Sequence, residues 1–103
     1  MYTEDPMQKM KFEKINVIAA FASFRDDGKF VRRITPIKFK LSSGDIHKVK
    51  RVRRSYTDQV GTSLHIHFVV VTTEDRYFDI FYDSENMYWY LTVELDERLS
   101  FDD

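Results

Sequence analysis

The stretch Leu64–Leu95, LHIHFVVVTTEDRYFDIFYDSENMYWYLTVEL, decides the fold class. It divides into three strand-like runs, LHIHFVVVTT, RYFDIFYD and MYWYLTVEL, separated by the polar turns Glu74–Asp75 and Asp83–Ser84–Glu85–Asn86. β-Branched and aromatic residues fill the runs, and turn formers fill the gaps, which is the pattern of an antiparallel meander. A two-residue first loop sets Val71 against Phe78, Val69 against Ile80 and His67 against Tyr82. A four-residue second loop sets Tyr82 against Met87, Ile80 against Trp89 and Phe78 against Leu91. One face then carries His65, His67, Val69, Val71, Phe78, Ile80, Tyr82, Met87, Trp89, Leu91 and Val93, and reads as the core. The other carries Ile66, Phe68, Val70, Tyr77, Asp79, Phe81, Tyr88, Tyr90 and Glu94. It is too apolar to face water and needs a cover, either from the N-terminal segments, from barrel closure or from a second subunit. A one-residue slip in register would exchange these faces.

The glycines upstream fall between apolar runs. Arg25–Asp26–Asp27–Gly28–Lys29 and Ser42–Ser43–Gly44–Asp45 have the chemistry of tight turns, and Thr57–Ser63 reads as a longer loop. Ile15–Phe24 is apolar on both parities and is expected to be covered on both sides. Lys29–Thr35 runs into Pro36, which cannot donate to a ladder and marks an edge or a bend. Ile37, Phe39 and Leu41 alternate with Lys38 and Lys40, as in a half-buried strand. Ile46–Arg54 reads as a strand with a bulge near Lys50–Arg51, because Val49 and Val52 lie on opposite parities. A helix would instead align Ile46, Val49, Arg53, Tyr56 and Val60. Asp5–Pro6 offers a cap and first position for a short helix at about 6–13. The expected fold is therefore all-β, with about six antiparallel strands in a small open barrel or two layers, and a possible short N-terminal helix. The 103 residues form one domain, with residues 1–13 as an arm or short helix and 96–103 as an acidic tail.

The hydrophobic fraction of 43% supports a packed globule rather than a disordered chain. The absence of cysteine excludes disulfides, thiolate metal sites and thiol nucleophiles, and fits a reducing, cytoplasmic setting. No run approaches the ~20 apolar residues of a membrane span. Ile15–Ser23, preceded by Lys9, Lys11 and Lys14, is closer to a buried strand than to an export signal. The net charge of −1 hides a strong polarity. Residues 25–54 hold 11 Lys and Arg against three Asp, whereas residues 55–103 hold two Arg against 11 acids. Such halves either neutralise each other within the fold or across a dimer, or leave a basic face for an anionic partner.

That basic run, Lys48, Lys50, Arg51, Arg53 and Arg54, backed by Arg32, Arg33, Lys38 and Lys40, is the main candidate site. Small β-barrels hold single-stranded nucleic acid with a positive groove and aromatic platforms, here Tyr88 and Tyr90. Charged residues on an edge strand also guard against aggregation. Trp89 is expected to be a packing residue. His65-x-His67 sets two imidazoles on one strand face, but a metal site needs a third ligand, and His47, Asp83 and Glu85 are the candidates at hand. No metal or other cofactor is expected. Asp79 is expected to be exposed beside Tyr77 and Tyr88, or to bond the basic segment. No phosphate loop, nucleophile elbow or acid–base pair is present.

The residues Pro36-x-x-Phe39, Ile46-His47-Lys48-Val49, Phe68-x-Val70-x-Thr72, Tyr77-Phe78-x-Ile80-x-Tyr82-Asp83 and Trp89-Tyr90-Leu91 resemble a group of small bacterial β domains of uncharacterised function. These stand alone or are appended to proteins related to Y-family DNA polymerases. The resemblance spans about residues 30–95, rests on structural positions and assigns no binding or catalytic residue. The expected function is a non-enzymatic binding or interaction domain, with a homodimer as one possibility. The alternative is a nucleic-acid-binding accessory domain.

Overall fold

A computed structural model describes residues 12–26 and 29–96. They form β1 (Glu13–Asp26), β2 (Lys29–Lys40), β3 (Ile46–Val60), β4 (Ser63–Thr72), β5 (Tyr77–Asp83) and β6 (Tyr88–Leu95). All neighbours are antiparallel, and the six strands close into a barrel in sequence order. The described residues hold no helix. Residues 6–11 of the expected N-terminal helix, and 97–103 of the acidic tail, lie outside them.

Closure is confined to one end of the long strands. β1 meets β6 at Glu13–Leu91, Lys14–Tyr90 and Ile15–Trp89, and β2 meets β3 at Lys38–Lys48, Phe39–His47 and Lys40–Ile46. Above that level β1 pairs with β2 alone, as far as Asp26–Lys29. The divergence has local causes. Pro36 has no amide to offer, and the ladder with β1 jumps from Lys38 to Pro36, pushing Ile37 out of register. β3 skips Lys50 and then Arg53 against β4, so the bulge expected near Lys50–Arg51 is joined by a second. Ile37 is accordingly 50% exposed, against its expected core position. β3 also runs on through the segment expected as a long loop, turning only at Gly61–Thr62, with Gly61 at φ 62°.

The barrel interior packs Ile15, Phe39, Phe68, Val70, Phe78, Ile80 and Trp89, ringed by Val17, Val49, Val52, Ile66, Tyr82 and Leu91. Trp89 sits against Phe68 and Tyr82 at ring separations of 5.7 and 5.2 Å, as expected of a packing residue. The expected cover over both sides of β1 is not found: Ile18 and Phe21 are 57% and 61% exposed.

The expected register of the meander is corrected. The β4–β5 loop is one residue longer than a two-residue turn. Thr72 N–H donates to the Arg76 carbonyl, the Thr72 hydroxyl accepts from the Glu74 and Arg76 amides, and Asp75 takes φ 62°. Loops of this kind end on a left-handed residue. Val71 therefore faces Tyr77, Val69 faces Asp79 and His67 faces Phe81. The β5–β6 loop moves the second pairing by two residues, Tyr82 facing Trp89 and Ile80 facing Leu91, which preserves parity. A bulge at Asp79–Ile80 then sets Phe78 against Glu94 and takes Val93, 45% exposed, off its expected core face. In sum β4 is inverted relative to expectation: Ile66, Phe68 and Val70 point into the barrel, and His65, His67, Val69 and Val71 point outward.

Candidate functional site

The outward face of β4 and β5, with Tyr90 of β6, is buried as thoroughly as the interior. Phe81 is 0% exposed, and its ring stacks with His65, His67 and Tyr90 at 4.6, 4.8 and 5.1 Å. Phe12 meets it edge-on at 5.2 Å. Tyr56, from the far half of β3, lies flat on His67 at 4.5 Å. Asp79 ties two of these rings together, whereas the buried His65 Nε2 makes no hydrogen bond. The Asp79 carboxylate accepts the Tyr56 hydroxyl at 2.7 Å and His67 Nδ1–H at 2.9 Å. His65 faces Asp83 directly across the ladder, with Nε2 3.4 Å from its carboxylate. Burial without partners would be costly for each of these groups, so the cluster is a second, polar-aromatic core laid on the outside of the sheet.

One expectation falls here. Asp79 is neither exposed nor bonded to the basic run, because the corrected register turns it under Tyr56. His65 and His67 are each matched to a carboxylate, and His47 lies against Phe39 and Phe78 with Nδ1 3.1 Å from Glu74. No group of three or more metal-ligating side chains is found among the described residues.

Burial, the bond to Asp79 and that carboxylate's charge raise the Tyr56 phenol above its ordinary value of 10.0. The fold thus favours the neutral phenol. Its stabilising contribution is complete below pH ~10 and is lost as pH rises above that value. Tyr56→Phe is therefore expected to destabilise the protein at neutral pH by an amount that shrinks in alkaline solution. Urea unfolding across that range measures it, and a gap independent of pH would contradict the Tyr56–Asp79 bond.

The basic residues lie along β2 and β3. Lys38 on β2 lies directly opposite Lys48 on β3, and Lys40 lies opposite Ile46. Lys48, Lys50, Arg51 and Arg54 are exposed, and Lys38 is half-buried. Lys50 bonds Asp75 at 3.1 Å. Arg54 rests over the Tyr56 ring and Arg53 over Tyr77, at 5.7 and 5.1 Å. Beside the lysines is an open depression of about 210 Å³, lined by Asn16, Val17, Ile18, Lys38, Phe39, Lys40 and Ile46. Ile18 and Ile46 on its rim are each 57% exposed.

The aromatic half of the expected site is elsewhere. Tyr88 and Tyr90 are on β6, separated from β3 by two strands around the barrel in either direction. Tyr88 is half exposed with Lys14 Nζ 4.1 Å above its ring. Tyr90 is buried against Phe81, its hydroxyl accepting from Asn86. The exposure of Ile18 was not foreseen, because Ile15–Phe24 is apolar on both parities and reads as a strand covered on both sides.

No family model, curated protein or solved structure matches the chain. No helix among the described residues is long and apolar enough to cross a membrane.

Proposed function

We propose that the protein is a non-enzymatic interaction module whose β1–β2–β3 outer surface binds an acidic segment of a partner protein. The observation that carries this reading is the Lys38–Lys48 pair. Like charges directly opposite on adjacent strands are destabilising, and a half-buried lysine loses part of its hydration as well. Lys40 and Lys50 flank the pair on the same surface, so an anionic ligand gains what the free fold forgoes. The depression beside the lysines favours a peptide. Ile18 and Ile46 offer apolar contact within reach of Lys38 and Lys40, which suits a segment alternating acids with apolar side chains. Nucleic acid is the less favoured partner, since the platforms that would stack its bases, Tyr88 and Tyr90, are not on this surface.

Lys38→Glu separates this reading from a merely solvated surface. It should stabilise the free protein by about 0.5 kcal/mol, by exchanging a repulsive cross-strand pair for an attractive one. It should also weaken binding to poly-glutamate by about tenfold, with the affinity of the wild type falling as salt rises. Urea unfolding and fluorescence anisotropy read the two effects. Unchanged binding, or tighter wild-type binding to a single-stranded oligonucleotide than to poly-glutamate, would overturn the assignment.

A further inference from the structure

From Val49 onward β3 pairs with β4 on one side, and no described strand pairs with its other side. Edge strands are usually short, kinked or strongly charged. β3 has 15 residues. Its bulges, at Lys50 and Arg53, lie in its first half, whereas Arg54–Val60 is a regular ladder against Val69–Ser63. That half presents an unbroken row of backbone donors and acceptors.

We infer that two copies of the chain pair through this edge, β3 against β3, antiparallel about a two-fold axis at Tyr56. The sequence Arg54–Ser55–Tyr56–Thr57–Asp58 is self-complementary in that register. Arg54 of each copy faces Asp58 of the other, Ser55 faces Thr57, and Tyr56 faces Tyr56. Arg54, Tyr56 and Asp58 oppose Val69, His67 and His65, so they share the outer face and both ion pairs form on one side of the ladder. Opposite charges and hydroxyl pairs are favourable cross-strand partners, and a two-fold interface makes each of them twice.

Registers two residues away bring like charges together. Moving the axis to Arg54 sets Arg54 on Arg54, and moving it to Asp58 sets Asp58 on Asp58. With the axis at Tyr56, the Lys48–Arg51 clusters of the two copies lie at opposite ends of the ladder, roughly 40 Å apart at 3.4 Å per residue. Tyr56 is already held to the sheet by Asp79 and His67, so its backbone is presented in fixed position. The interface leaves the Lys38–Lys48 surface uncovered, and it stands or falls independently of the acidic partner.

A charge swap tests the register. Sedimentation equilibrium over a dilution series is compared for wild type, Arg54→Asp, Asp58→Arg and the double variant, with circular dichroism to verify the fold. The wild type should dimerise. Each single variant should weaken the dimer by at least about tenfold, because both symmetric pairs become repulsive, and the double variant should restore it. Amides at 54–58 of the wild type should also gain protection from hydrogen exchange with concentration, a reading that needs no variant. A wild type that stays monomeric, single variants that dimerise as well as the wild type, or a double variant as weak as the singles would each overturn the proposal.

Discussion

Phe81→Ala should cost the fold about 4 kcal/mol, as much as emptying a position inside the barrel. The ring points away from the interior, so an ordinary half-exposed sheet would predict a small effect. It is instead fully buried, with His65, His67 and Tyr90 stacked on it and Phe12 against its edge. Removing it opens a cavity that four rings surround, and the polar groups of the histidines limit how far the site can collapse. The matching interior variant is Phe78→Ala, at a residue 1% exposed and packed edge-on against Phe39 at 5.3 Å. Urea unfolding should give the two variants similar losses. A loss below about 1 kcal/mol for Phe81→Ala would mean that the outer face is not a core.

Asp79→Ala should cost about 3 kcal/mol, through a different mechanism. The carboxylate is the acceptor for both Tyr56 and His67, and its removal leaves the buried His67 Nδ1–H without a partner and releases the partly exposed Tyr56 hydroxyl. Asp79→Asn keeps one acceptor oxygen and should cost about half as much. The loss should also reach β3, because Tyr56 is the residue that ties the far half of that strand down onto the sheet. Hydrogen exchange should therefore accelerate at 55–60 in Asp79→Ala before it accelerates at Val70 or Ile80. Uniform acceleration would show that the bond is not what holds β3.

Much of the fold was legible because punctuation and periodicity agreed. The three runs after Leu64 became β4, β5 and β6, Trp89 became a packing residue, and the bulge in β3 lies at Lys50 as the parity of Val49 and Val52 required. The faces of β4 were not legible, for a physical reason. Phe68, Val69, Val70 and Val71 are apolar on both parities, so either orientation buries two of them. Register was then left to the loop, where the Thr72 hydroxyl and the left-handed Asp75 add one residue to the expected turn. A signal was available in the polar residues: His65-x-His67 on β4 and Asp79-x-x-x-Asp83 on β5 can satisfy each other only if both sets share a face.

The candidate surface was half legible. The basic run was visible in composition, but its pairing with β2, which sets Lys38 on Lys48, depends on a long-range contact that no local pattern encodes. Tyr88 and Tyr90 were grouped with it by residue type alone, and barrel closure through β1 leaves two strands between them and β3.

The central claim is that the β1–β2–β3 outer surface is a recognition face for an acidic segment. Backbone amide shifts recorded while the protein is titrated with a peptide alternating Glu and Val test it most directly. The account predicts perturbations gathered on Ile18, Lys38, Lys40, Ile46 and Lys48, fading with added salt. Perturbations gathered on β6 around Tyr88, or none at low salt, would contradict it.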